Sequence, residues 1–109
     1  MFPLADRPDK ASISVNDTTP EHEQTVKFEC RASGGRPEIL EYIWYKQNAE
    51  ANRSPSSQWL KGPLDYSSDD GEYSCAARNT VGNGLMSDAE TITVTCKCTE
   101  DILLVKYLC

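Results

Sequence analysis

The stretch Asp69-Asp70-Gly71-Glu72-Tyr73-Ser74-Cys75 constrains the fold more than any other part of this 109-residue chain. It joins a turn, a polar anchor and a thiol at strand spacing. On an extended chain, Tyr73 and Cys75 stand two apart and share one face, while Glu72 and Ser74 point to the other. Gly71 falls where the chain must turn into the strand. If Cys75 is to pair across a sheet, its partner should lie upstream on a strand of the same inward phase. Val26-Lys27-Phe28-Glu29-Cys30 supplies one, with Val26, Phe28 and Cys30 inward and Lys27, Glu29 and Arg31 in water. The two cysteines are 45 residues apart, and between them Trp44 ends the alternating run Tyr42-Ile43-Trp44.

Cys30, Trp44, Tyr73 and Cys75 stand in the Cys…Trp…Tyr-x-Cys order of an immunoglobulin-type sandwich, with Tyr73 as its tyrosine corner. Asp69-x-Gly71-x-Tyr73-x-Cys75, followed by Cys75-x-Ala77-x-Asn79-x-x-Gly82, resembles immunoglobulin domains of the intermediate set, as found in cell-adhesion molecules and receptor ectodomains. The resemblance covers roughly residues 8 to 95. It implies an all-β immunoglobulin-like β-sandwich of two antiparallel sheets with Greek-key topology, a Cys30–Cys75 disulfide, and Trp44 lying against the bridge. It is specific for fold and says less about function, because such sandwiches host many binding tasks. The expected organisation is a leading segment or linker over residues 1–8, the domain over 9–95, and a cysteine-containing tail over 96–109.

One sandwich needs about 100 residues, so the chain holds a single domain. A chain this short buries roughly two-thirds of its unfolded surface, and a staple matters. A bridge across the 45-residue interval would stabilise by about 4 kcal/mol in the chain-entropy account. The formal net charge is -6, with the acidic residues scattered from Asp6 to Asp101. Nucleic acid and anionic lipid are poor partners for such a surface, since both select a basic stripe. Five cysteines in so short a chain point to an oxidising compartment, hence an extracellular location. Met1 to Lys10 lacks the apolar run of a secretory leader, and the sequence is expected to be a fragment, an engineered piece or an incomplete gene reading. The longest apolar run, Ile102 to Val105, is stopped by Lys106 and is too short to span a membrane, so any anchor is expected outside this chain.

Ahead of the cysteine strands, Ala11 to Val15 alternates with Ile13 and Val15 in phase and predicts the first edge strand. Asn16 to Pro20 is a polar turn. The second strand runs from Thr25 to Ala32, and the third, Glu41 to Gln47, carries Trp44. Asn48 to Ser57 is nearly devoid of apolar residues and predicts a polar interval without long strands, favouring seven or eight strands over the larger variable-type arrangement. Gln58 to Lys61 is a strand of ambiguous phase: either Trp59 or Leu60 is inward, and Trp59 with Leu64 is favoured. Glu72 to Asn79 is the sixth strand, Val81 to Gly84 a tight hairpin turn, and Ala89 to Thr95 the last strand, with Ile92 and Val94 inward. The tail is open between a following segment, a bridge back to the N-terminal stretch, and translation past an exon end.

The candidate chemistry reduces to structure and surface. Asp69 and Asp70 could serve acid-base or metal chemistry, but the family resemblance makes Asp69 an acceptor of hydrogen bonds and of a salt bridge, from Arg53 or Lys61. His22, the one histidine, leaves no Ser-His-Asp triad and predicts a solvated loop residue. Cys96-x-Cys98 with Cys109 has the wrong spacing for a zinc knuckle, so no metal and no cofactor are expected. With Cys30 and Cys75 paired, three thiols remain, and Cys96, Cys98 or Cys109 could link a dimer. Two sequons, at Asn16 and Asn52, fall in predicted polar loops as candidate glycosylation sites, with Asn16 favoured because Pro55 follows the second. On the outward side of the third and sixth strands, Ile43, Tyr45, Glu72, Ser74, Ala76 and Arg78 are expected at the surface. Ile43 and Tyr45 beside Arg78 resemble a binding hot spot, with the plain alternative that Tyr45 merely covers the sheet. Loops 34–37 and 81–84 offer further contacts. The expectation is a non-catalytic extracellular recognition or adhesion module for a protein partner, homophilic contact included, with no small-molecule substrate; the alternative is a structural spacer in a receptor or matrix protein.

Overall fold

The computed structural model describes residues 5–95, together with the backbone of residues 97–98 and 107–108. Seven strands build the sandwich: β1 (Ser12–Val15), β2 (Val26–Arg31), β3 (Glu41–Lys46), β4 (Ala49–Ser54), β5 (Gln58–Lys61), β6 (Gly71–Arg78) and β7 (Glu90–Ile92). One sheet has the order β1-β2-β5 and the other β4-β3-β6-β7, with antiparallel pairing throughout. The two short strands β8 (Lys97–Cys98) and β9 (Tyr107–Leu108) pair with each other.

Alternation decides which side chains meet between the sheets. Val26, Phe28 and Cys30 of β2 are fully buried against Trp44, Tyr73 and Cys75 from the opposite sheet, with Leu64, Ile92 and Val94 closing the cluster. Phe28 is the hub of an aromatic stack, 4.8 Å from Tyr73 and 5.3 Å from Trp59, ring centre to ring centre. Trp59 is therefore the inward residue of β5, and Leu60 is 68% exposed. Burying a side chain such as Phe28 contributes roughly 1.5–3 kcal/mol, so these few rings carry much of the stability of a small domain.

The polar interval after β3 is where the sequence misleads. It holds the six-residue strand β4, joined to β3 by a two-residue turn in which Gln47 (φ 52°) and Asn48 (φ 66°) are both left-handed. Such a turn matches the twist of the flanking strands. β4 is polar because it lies at a sheet edge and in the wider of the two sheets. A bulge between Trp44 and Tyr45 puts both Glu50 and Arg53 on its outer side.

The chain changes sheets after its first strand. Past β1, the segment 18–21 crosses to the other sheet, where Thr18 and Pro20 carbonyls accept from Thr93 and Thr95, and Glu21 bridges Thr95 in parallel. The leading segment is likewise tied down: Asp6 and Arg36 exchange two backbone hydrogen bonds of 2.9 Å, and Asp9 donates to Ser33.

Candidate functional site

The corner that organises the sequence is a scaffold. Cys30 and Cys75 are disulfide-bonded, with Cα atoms 6.0 Å apart, and Trp44 is buried beside them with no hydrogen-bond partner for its Nε1. The Tyr73 hydroxyl donates to the Asp69 carbonyl oxygen at 2.7 Å, pinning the turn to the strand. Asp69 Oδ2 accepts the Asp65 N–H at 2.7 Å, and Oδ1 lies 3.2 Å from Lys61 Nζ. Lys61 is thus its ionic partner, while Arg53 is engaged elsewhere. Asp70 Oδ1 accepts the N–H of Val94, so both carboxylates are committed to holding backbone. Burial, with the charges of Asp69 and Asp70 next, pushes the Tyr73 hydroxyl up to about 12. Gly71 is required at this bend. Its φ is 145°, and a Cβ there would stand 2.6 Å from Gln47 Oε1, the atom that accepts the Glu72 N–H.

The outer face of β4-β3-β6 differs from expectation. Ile43 is not exposed but fully buried, and Ser74 and Ala76 are buried with it. In the ladder Ile43 lies between Arg53 and Ala76, and an arginine at such a position is able to lay its stem over apolar surface while its head stays in water. The heads of Arg53 and Arg78 are fixed: Glu41 Oε1 receives Arg53 at 2.8 Å and Arg78 at 2.9 Å, and Glu50 receives Arg53 at 2.7 Å. The Arg78 hydrogen bond, with Arg53 adding to it, holds the Glu41 carboxyl below the usual carboxylate range. Tyr45, half-buried beside Glu50, has its hydroxyl pushed up, first by burial and then by the Glu50 charge. What remains accessible is Tyr45 with the guanidinium and carboxylate lattice of Glu41, Glu50, Arg53 and Arg78.

A second constellation gathers at one end. Asn79 is fully buried; its Nδ2 donates to the carbonyls of Asp6 (2.6 Å) and Pro37 (3.0 Å), and its Oδ1 accepts from Val81 and Gly82. One side chain thereby joins the leading segment, loop 33–38 and loop 79–84. Leu40, Val81 and Leu85, all exposed, sit on or beside these loops, as does a shallow groove lined by Ala5, Gly35, Arg36, Pro37 and Glu38. Asn79 stands in the sequence motif, but nothing in its spacing tells which segments it would join.

His22 is not a solvated loop residue. Its side chain is three-quarters covered, its Nδ1 accepts the Tyr66 N–H at 3.3 Å, and its ring meets Tyr66 edge-on at 5.6 Å. Asn16 lies in the expected exposed turn, whereas Asn52 lies within β4 and is half-buried. Cys96 and Cys109 lie outside the described residues, and Cys98 is described only in its backbone. Among the described residues, no group of three or more His, Cys, Asp and Glu side chains could hold a metal ion.

The two antiparallel sheets, the disulfide between them and the tyrosine corner define an immunoglobulin-like sandwich. The family model described as "Immunoglobulin domain" matches residues 10–79, and the chain belongs to that family. A search of curated proteins found no match. Among solved structures, the chain is similar to the three N-terminal domains of the bacteriophage RB49 Highly Immunogenic Outer Capsid protein (Hoc), at 15% identity and a TM-score of 0.62. That alignment covers 79% of this chain and 29% of the phage chain, and the likeness is one of fold.

Proposed function

We propose that this domain is a non-catalytic, extracellular recognition or adhesion module that binds a protein partner through the outer face of β4-β3-β6, homophilic contact included. The observation that carries this reading is the ordered surface at the face's centre. Glu41 holds Arg53 and Arg78 in place beside a half-buried Tyr45, so aromatic and guanidinium groups are presented with little ordering left to do on contact. Domain size and an intramolecular disulfide are compatible with an extracellular location. The nearest subclass is the intermediate set of immunoglobulin domains, supported by the first strand's division between the two sheets. Beads coated with the chain are expected to cluster, or to capture cells, and Tyr45→Ala with Arg78→Ala should reduce this at least tenfold. Binding that is unchanged in the double variant would overturn the sheet-face assignment.

The Asn79 clamp favours a second reading, a structural spacer with contacts at its ends. It fixes the leading segment against loops 33–38 and 79–84, and rigid chain direction is what a spacer needs. A chain inert in the bead assay, with or without the face substitutions, favours that reading.

A further inference from the structure

We propose that Asn16, and not Asn52, is where this chain carries an N-linked oligosaccharide; this rests on the extracellular reading and adds which sequon, and which side of the sandwich, bears the sugar. Asn16-Asp17-Thr18 and Asn52-Arg53-Ser54 both satisfy the acceptor pattern. The structure separates them. Val15 packs toward the core, so alternation turns Asn16 away from it at the end of β1, where it is exposed. Asn16 Oδ1 accepts the Lys27 N–H at 2.8 Å, and the Asn16 N–H donates to the Lys27 carbonyl at 3.1 Å. Its oxygen is held on β2, and the exposed side chain keeps Nδ2 as its remaining polar group.

Attachment preserves this arrangement. In the transfer, Nδ2 attacks C1 of an oligosaccharide carried on a lipid-linked pyrophosphate. The N–C1 bond forms, the C1–O bond to the pyrophosphate breaks, the lipid pyrophosphate departs, and Nδ2 gives one proton to a base. Oδ1 keeps its role as acceptor, so the Lys27 bond survives. Asn52 is placed differently. It lies opposite Trp44 in the β3–β4 ladder, on the side that faces the other sheet, and Pro55 directly follows Ser54. A sugar there would have to leave past the edge of the sandwich. Asn16 extends from the three-stranded sheet and Tyr45 and Arg78 belong to the four-stranded one, so a glycan at Asn16 leaves the proposed contact face open.

The test directs the full chain into the secretory pathway of cultured mammalian cells with a cleavable leader and measures intact mass before and after peptide N-glycosidase. One occupied sequon is expected, retained in Asn52→Gln and lost in both Asn16→Gln and Thr18→Ala. Thr18→Ala keeps the Asn16–Lys27 bonds and the Thr18 carbonyl that accepts the Thr93 N–H, so it separates loss of the acceptor from loss of the fold. A glycan surviving in Asn16→Gln, a glycan vanishing in Asn52→Gln, or a secreted wild-type chain without sugar would overturn the proposal. Adhesion through Tyr45 is read in a different assay, so the two readings fail separately.

Discussion

Replacing Tyr73 by Phe removes one hydroxyl from the corner and leaves the ring against Phe28 and Trp59. The lost bond is the 2.7 Å contact to the Asp69 carbonyl, and Tyr73 itself is fully buried. A hydrogen bond contributes about 0.5–1.5 kcal/mol net, and an orphaned buried acceptor costs about 1–3 kcal/mol. Asp69 is only half-buried, so the sum should fall near about 1–2 kcal/mol. For a domain of this size each kcal/mol is about 4–8 °C in Tm, readable by differential scanning calorimetry. Alkali supplies an internal check. The folded Tyr73 hydroxyl titrates at about 12, against about 10 in the unfolded chain. Its contribution is therefore fully present below pH of about 10 and is lost as pH rises toward 12, with an order of magnitude of 2–3 kcal/mol from the two-unit difference. Wild type should lose stability over that window by more than Tyr73→Phe does. Equal Tm values at neutral pH together with parallel alkaline profiles would refute the role given to this hydroxyl.

Asn79→Ala should cost about 2–4 kcal/mol, because it removes two donors' worth of bonds to Asp6 and Pro37 and frees the Val81 and Gly82 amides. Hydrogen exchange should quicken in residues 6–9, 33–38 and 79–84 before it does in β2; unchanged exchange in these loops would contradict the clamp. Glu41→Gln probes the outer lattice by acid titration. The Glu41 carboxyl is held below its ordinary range, so its contribution is present above the usual carboxylate range and is lost as pH falls through its lowered folded value. The variant should lose less stability on acidification than wild type, and an identical acid limb would contradict the ionic role given to Glu41 between Arg53 and Arg78.

The corner was legible because its residues obey local rules: Tyr73 and Cys75 two apart, Gly71 at the bend, and β2 alternating cleanly toward Cys30. The phase of β5 was only half legible: the sequence favours Trp59 with Leu64 but leaves Leu60 open, and it is the packing of Trp59 and Leu64 in one core that decides it. The outer face was not. Ile43 has the correct alternation for an outward residue, but it sits between Arg53 and Ala76 of the two neighbouring strands and is fully buried, and no spacing along one segment encodes what neighbouring strands place beside it. β4 escaped for a related reason. An edge strand whose inward positions are Asn52 and Ser54 has no apolar period, and its turn uses Gln47 where Asn or Gly would have been the signal. His22 and Asn79 were also invisible as fasteners, because their partners lie 44 and 73 residues away in sequence.

Adhesion of mixed cell populations tests the central claim most directly. One population displays the chain, the second displays Tyr45→Ala with Arg78→Ala, and the third displays neither. Recognition through the outer face predicts that displaying cells adhere to one another or to bare cells, and that the doubly substituted population, folded and equally displayed, does not. Adhesion that is equal in both displaying populations, or absent from both, would contradict it.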